Sequence, residues 1–136
     1  MKISTKGRYG LMLLVDLAQN DNGQPVALKT IAERQGLSEH YLEQLIAPLR
    51  NRGFVKSVRG AYGGYILAKS GSEITAADAI LTLEGPLEIV DGEVDDGFHD
   101  LWARLQESIR SVLSDVTLQD LVAMRERQQG SYMYYI

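Results

Sequence analysis

His40, Glu43 and Gln44 are spaced so that they share one face of a helix. Their chemistry is hydrogen bonding rather than bond making. A glutamine amide can pair with an adenine edge, and a carboxylate can accept from the amino group of cytosine. Arg59 opens a second polar group, the run Arg59-Gly60-Ala61-Tyr62-Gly63-Gly64. A guanidinium at the tip of a tight turn suits a DNA minor groove, where negative potential is strongest when the groove is narrow. Gly60, Gly63 and Gly64 would let the backbone come close to phosphate. Lys2, Lys6, Arg8, Ser38, Tyr41, Arg50 and Lys56 lie in or beside the same segments and are candidates for DNA backbone contacts. Such contacts fix register without carrying sequence information. A solvated amphipathic helix and a plain glycine-rich hairpin turn would each use similar residues, so the argument rests on the two occurring together.

Other chemistries find less support. The chain has no cysteine, which excludes disulfides, Cys-ligated zinc, thiolate nucleophiles and direct thiol redox sensing. His40 belongs to the polar helix face, and His99 follows an acidic stretch. Neither has a recognisable nucleophile and orienting partner in the local sequence. The glycines lack Walker spacing, and no helix begins directly after them. Glu88, Asp91, Glu93, Asp95 and Asp96 form a carboxylate-rich segment without the spacing of a calcium loop, and it reads as solvated loop. No catalytic residue, cofactor or metal ligand is assigned, and an enzyme is not expected.

The flanking pattern says what positions the polar groups. Gly36 supplies a left-handed helix end and Ser38 an N-cap, so 36–37 forms the tight turn between two helices. Leu42, Leu45, Ile46 and Leu49 make the apolar face opposite the polar one. Pro48 should kink or divide that helix. Phe54 to Val58 alternates like a half-buried strand, and Tyr65-Ile66-Leu67 returns after the turn. The order helix, turn, helix, strand, basic turn, strand is that of a winged helix-turn-helix.

Upstream, Ser4 or Thr5 caps a first helix with Leu11, Leu14, Val15 and Ala18 as its stripe, ended by the turn formers 20–25. Val26 to Leu28 is predicted to pair with the wing, and Lys29 to Gln35 to form a short helix. Downstream, Thr75 caps a helix running through Thr82, stopped by Gly85-Pro86. Phe98, Trp102, Leu105, Ile109, Val112 and Val116 then recur at alternating steps of four and three, a heptad seam able to pack against a second copy or against the parent domain. Thr117 caps a final short helix to Arg127, with a hinge over 125–130. The segment Ser131-Tyr132-Met133-Tyr134-Tyr135-Ile136 is aromatic and apolar where chain ends are usually polar, which suggests docking on this protein or capture by another.

At 136 residues and 45% hydrophobic content the chain can bury one compact core. The first thirty residues show no signal peptide, and the apolar run 11–17 is broken by Asp16, so a cytoplasmic protein with no membrane association is expected. The formal charge of −4 conceals an asymmetry. Through Ser70 there are ten Lys and Arg against five Asp and Glu; after it, four against thirteen. The basic half is the half with the winged-helix pattern, as polyanion binding requires.

The stretches MKISTKGRYG, SEHYLEQLIAPLR and SVRGAYGGY, together with the terminal tyrosines and isoleucine, resemble the Rrf-type winged-helix repressors. That family includes IscR and NsrR, and the likeness is strongest to its cysteine-metabolism branch, the CymR type. The resemblance covers almost the whole chain. It implies a homodimeric repressor that reads an inverted-repeat operator in double-stranded DNA. It also implies dimerisation through the 98–116 seam and capture of Tyr134, Tyr135 and Ile136 by O-acetylserine sulfhydrylase, the cysteine synthase, as an indirect report of cysteine status. Relatives that hold an iron–sulfur cluster place cysteines in the 85–97 region, and here there are none.

The expected fold is mainly α with a small β-hairpin wing: a winged helix-turn-helix DNA-binding domain over 1–84, an acidic loop over 85–97, the dimerisation and C-terminal helices over 98–127, and an aromatic tail over 128–136. Two alternatives stay open. One is a winged-helix protein-interaction module. The other is a repressor that binds a small effector directly.

Overall fold

The computed structural model describes the backbone of residues 2–134 and the side chains of residues 2–130. It contains the helices α1 (Thr5–Gln19), α2 (Leu28–Gln35), α3 (Glu39–Asn51), α4 (Ala76–Glu84), α5 (His99–Asp115) and α6 (Leu118–Tyr134), and the strands β1 (Val55–Val58) and β2 (Gly64–Leu67). The fold is mainly helical with one antiparallel hairpin, as the sequence predicts.

α1 is the centre of the core. It packs on α2, α3, α4, α6 and β2. Leu14 and Val15 of the expected stripe are buried, and so are Leu13 and Leu17, because the helix has neighbours on several sides rather than one. Leu42, Leu45, Ile46 and Leu49 of α3 join them, with Phe54, Val55 and Leu67 from the base of the hairpin. Ser4 caps α1 by accepting from the Lys6 N–H at 3.2 Å. Its start is also held from a distance. The Glu84 carboxylate accepts from the backbone N–H of Ser4 at 3.0 Å and of Gly7 at 2.9 Å, and from the Ser4 hydroxyl. The two backbone N–H groups are among the donors that a helix N-terminus leaves without intrahelical partners.

Gly36 ends α2 with φ +67°, a left-handed cap, and the Leu37 N–H returns to the Ala32 carbonyl at 2.9 Å. Ser38 then caps α3, accepting from the Tyr41 N–H at 3.3 Å. Pro48 does not divide α3, which continues to Asn51. The proline lies in the last turn, where it removes only one bond from a ladder that is ending. β1 and β2 pair in the register Val55↔Leu67 to Val58↔Gly64. Of the segment 26–28 expected to pair with the wing, Val26 alone does so, exchanging backbone hydrogen bonds with Tyr65 at 2.9 and 2.8 Å, while Leu28 already opens α2. Gly64 permits this approach, because a Cβ there would collide with the Val26 carbonyl.

Thr75 and Asp78 close a reciprocal cap on α4 at 2.9 and 3.1 Å. Thr117 and Asp120 repeat it on α6 at 3.0 and 3.1 Å. The corner between α5 and α6 is tied to the start of α4 by Ala76 N–H to Val116 carbonyl at 2.7 Å and Leu118 N–H to Ile74 carbonyl at 2.9 Å. Asp96 anchors the start of α5, accepting from the Phe98 N–H at 2.9 Å and from Trp102 Nε1 at 3.0 Å. The Phe98 N–H, against a smaller desolvation penalty and aided by Trp102, holds that carboxyl below its usual range.

Two expectations are corrected. The hinge predicted over 125–130 is helix: α6 runs on to Tyr134, and Gly130 lies inside it. One glycine among glutamines and arginines costs a helix only about 1 kcal/mol, and no proline follows to stop it. Likewise α4 ends at Glu84 rather than Thr82, carrying Glu84 to the start of α1. Among the described residues no helix is long and apolar enough to cross a membrane.

Candidate nucleic-acid interface

The helix-turn-helix places α3 so that its apolar side is fully spent on the core, which leaves its polar side for solvent. His40, Glu43 and Gln44 are all exposed on that side. They are mutually close: His40 Nδ1 lies 3.9 Å from Glu43 Oε2, and Gln44 Nε2 lies 3.5 Å from His40 Nε2. The three side chains are thus brought together, free of other hydrogen-bond partners within the described residues, and able to donate and accept. Arg50 is exposed near the other end of the same helix.

Tyr41 is different. It is half-buried, edge-on to Tyr9 of α1 with ring centroids 5.9 Å apart. Packing accounts for its ring and the Ser38 oxygen accepts in the cap, which leaves both hydroxyl groups able to donate. Lys2, Lys6 and Arg8 are exposed around the start of α1. Arg8 also lies over the Tyr9 ring, 6.0 Å from its centroid, so α1 and α3 meet through an aromatic pair edged by a cation.

The wing carries Lys56 and Arg59, both exposed. Its glycines have internal duties. Gly60 has φ +125°, and a Cβ on Gly63 would strike the Val58 carbonyl. The tight hairpin therefore needs these positions for its own closure, whatever else they approach.

The heptad seam leaves its mark on α5. No residue of this helix is buried, and its principal neighbour is α4. Phe98 is 58% exposed and Val112 64%, and Leu105 is exposed with them. Trp102 and Ile109 are half-buried. Val116 is the C-cap, tied by its carbonyl to α4, so the helical part of the seam ends at Val112. Of the tail residues, Tyr135 and Ile136 and the Tyr134 side chain lie outside what the structure describes.

Sequence reasoning passed over a polar cluster beneath the helix-turn-helix. Asp16, buried in α1, receives Arg34 Nη2 at 2.7 Å, Arg34 Nε at 3.0 Å and Gln35 Nε2 at 2.8 Å. The other end of the Gln35 amide accepts from Arg125 of α6 at 2.7 Å. The one signal available was Asp16 itself, an acid inside an otherwise apolar run, which burial would require to be paired.

The model of the family described as iron-dependent transcriptional regulator, Rrf2, matches residues 3–124. The chain is 49% identical to the HTH-type transcriptional regulator CymR of Bacillus subtilis (strain 168), over the full length of both. It is 38% identical to the HTH-type transcriptional regulator IscR of Photorhabdus laumondii, covering 93% of this chain and 82% of that protein. The solved structure of CymR, called the global cysteine regulator of B. subtilis, superposes with a TM-score of 0.81 over 91% of this chain and 98% of that one. T. potens IscR superposes with a TM-score of 0.81 at 50% identity, over 99% of this chain and 97% of that one. The residues present do not fit an iron–sulfur centre. Such clusters take thiolates for most of their ligands, and the sequence has none. Among the described residues no three His, Cys, Asp or Glu side chains converge as a metal site.

Proposed function

We propose that this chain, which belongs to the Rrf2 family of transcriptional regulators, is a dimeric repressor of cysteine and sulfur metabolism genes that binds an inverted-repeat operator. The observation that carries the reading is the joint exposure of His40, Glu43 and Gln44 on a helix whose other side is buried, beside a basic wing. In this reading His40, Glu43, Gln44 and Arg59 contact bases. Lys2, Lys6, Arg8, Ser38, Tyr41, Arg50, Lys56 and the wing glycines contact the DNA backbone. The seam Phe98, Trp102, Leu105, Ile109, Val112 and Val116, exposed at Phe98, Leu105 and Val112, supports a two-fold dimer. Such a dimer sets two reading helices about one DNA turn apart.

The cysteine assignment is supported by full-length similarity to a protein described as a global cysteine regulator. With no thiol of its own, the chain would sense cysteine status through O-acetylserine sulfhydrylase holding the aromatic segment at Tyr134, Tyr135 and Ile136.

The test is retention of genomic fragments by the purified protein at near-physiological salt, with and without the synthase. An inverted repeat upstream of sulfur-uptake and cysteine-synthesis genes is expected. Specific fragments from other pathways would sink the cysteine assignment, and no specific fragment in either condition would sink the repressor.

A further inference from the structure

The wing tip carries an aromatic ring that the proposed contacts do not use. Tyr62 is 93% exposed, the most exposed of the large apolar side chains in the described residues. Its partner in the hairpin sequence, Tyr65, is half-buried and tied by backbone bonds to Val26. Nothing comparable covers Tyr62.

The backbone that carries it is held. The Gly63 N–H donates to the Gly60 carbonyl at 3.0 Å, so Ala61 and Tyr62 form the head of a four-residue turn. Gly63 closes that turn against the Val58 and Gly60 carbonyls more tightly than any side chain would allow. The strand that leaves the turn is held just beyond it by the Val26–Tyr65 pair. A tyrosine on a rigid turn presents a large flat surface at low entropic cost, since only two torsions need fixing.

The surroundings select a polyanion with stacked rings. From Phe54 to Lys69 the hairpin contains Lys56, Arg59 and Lys69 and not one acidic residue. Arg59 immediately precedes the turn. Aromatic faces stack on any base, and apolar wedges inserted from the minor groove partly unstack a base step. Pyrimidine–purine steps yield most easily to such deformation.

We propose that Tyr62 is a further DNA-contact residue, wedging its ring against a base step in the minor groove beside Arg59 and favouring operators with a pyrimidine–purine step there. This rests on the DNA-binding reading above.

The test uses the full chain as wild type, Tyr62→Ala, Tyr62→Phe and Arg59→Ala, and the inverted repeat retained by the wild type. Duplexes differ only at the step beneath the wing, and a 2-aminopurine at that step reports unstacking. Tyr62→Ala is expected to bind about tenfold more weakly, to lose the step preference and to abolish the rise in 2-aminopurine emission. Tyr62→Phe keeps all three properties of the wild type. Exposure of the ring predicts unchanged urea midpoints for both. If Tyr62→Ala keeps its affinity within about twofold and its emission while Arg59→Ala weakens binding, the wedge is overturned and the regulator reading stands. If Tyr62→Phe fails as badly as Tyr62→Ala, the hydroxyl and not the ring makes the contact, which also overturns the wedge. If the wild type retains no specific duplex, both readings fall.

Discussion

Arg34 meets Asp16 through two hydrogen bonds, Nη2 to Oδ1 at 2.7 Å and Nε to Oδ2 at 3.0 Å, with the carboxylate 1% exposed. The side-on geometry is the strong form of this pair. It is also the first link of a chain: Gln35 joins the same carboxylate to Arg125, so one acid in α1 fixes the end of α2 and reaches α6. The Asp16 hydrogen bond raises the Arg34 pKa further, against a desolvation penalty, so the guanidinium keeps its charge.

Asp16→Ala therefore removes the common acceptor of two side chains. It is expected to destabilise the fold by about 1–3 kcal/mol. The loss stays below that of a fully buried pair because Arg34 is 39% exposed and can return to water. Urea unfolding checks it; a midpoint equal to wild type would mean that the cluster contributes nothing net.

Glu84 links stability to pH. Desolvation pushes its carboxyl up, but the Ser4 hydroxyl, the backbone N–H groups of Gly7 and Ser4, and nearby Lys6 outweigh that and hold it below its ordinary value of 4.5. A group lowered on folding stabilises the native state above its unfolded pKa, and that contribution is lost as pH falls through the folded value. Glu84→Gln should thus be less stable than wild type at pH 7, with the gap closing as pH falls below the ordinary value of 4.5. Urea midpoints measured from pH 7 to pH 3 test this; a gap that widens on acidification would contradict it.

Much of the fold was legible because its signals are local. Gly36, Ser38, Thr75 and Thr117 each mark a boundary within a few residues, and the α3 stripe follows from spacing alone. What was missed depends on partners far along the chain. Nothing near Ser4 announces Glu84, eighty positions away, and nothing near Gln35 announces Arg125. The α1 stripe looks one-sided in the sequence because periodicity cannot count the neighbours of a central helix. Composition predicts a hinge over 125–130, and a continuous α6 overrides it. At the candidate interface the polar face of α3 was visible, whereas the exposure of Tyr62 depends on how the turn closes.

Val112 gives a direct handle on assembly. Val112→Asp should keep the monomer fold, since the side chain is already 64% exposed, while placing a charge in the seam. On the proposed reading, sedimentation equilibrium is expected to show a dimer for the wild type and a monomer for the variant. A variant that stays dimeric removes this face of α5 from the interface.

Base reading and backbone contact separate by readout. Gln44→Ala should change the ranking of operator variants at one position by ~1–3 kcal/mol. Lys56→Ala should weaken all duplexes alike and lower the salt slope by about 1. Competition binding at several salt concentrations distinguishes them, and an unchanged ranking in Gln44→Ala would remove that residue from the recognition surface.

The bridge between Val26 and Tyr65 ties the wing to the segment leading into α2, which packs on α3, so the wing cannot swing away from the helix-turn-helix without breaking two backbone hydrogen bonds. On the proposed reading, each protomer acts as a ruler laid across two grooves. A substituted base pair costs one contact. An inserted base pair between the two contacted grooves displaces everything beyond it by about 3.4 Å and rotates it by about 35°, which no side-chain adjustment can follow. Half-sites should drift in letter and hold in length.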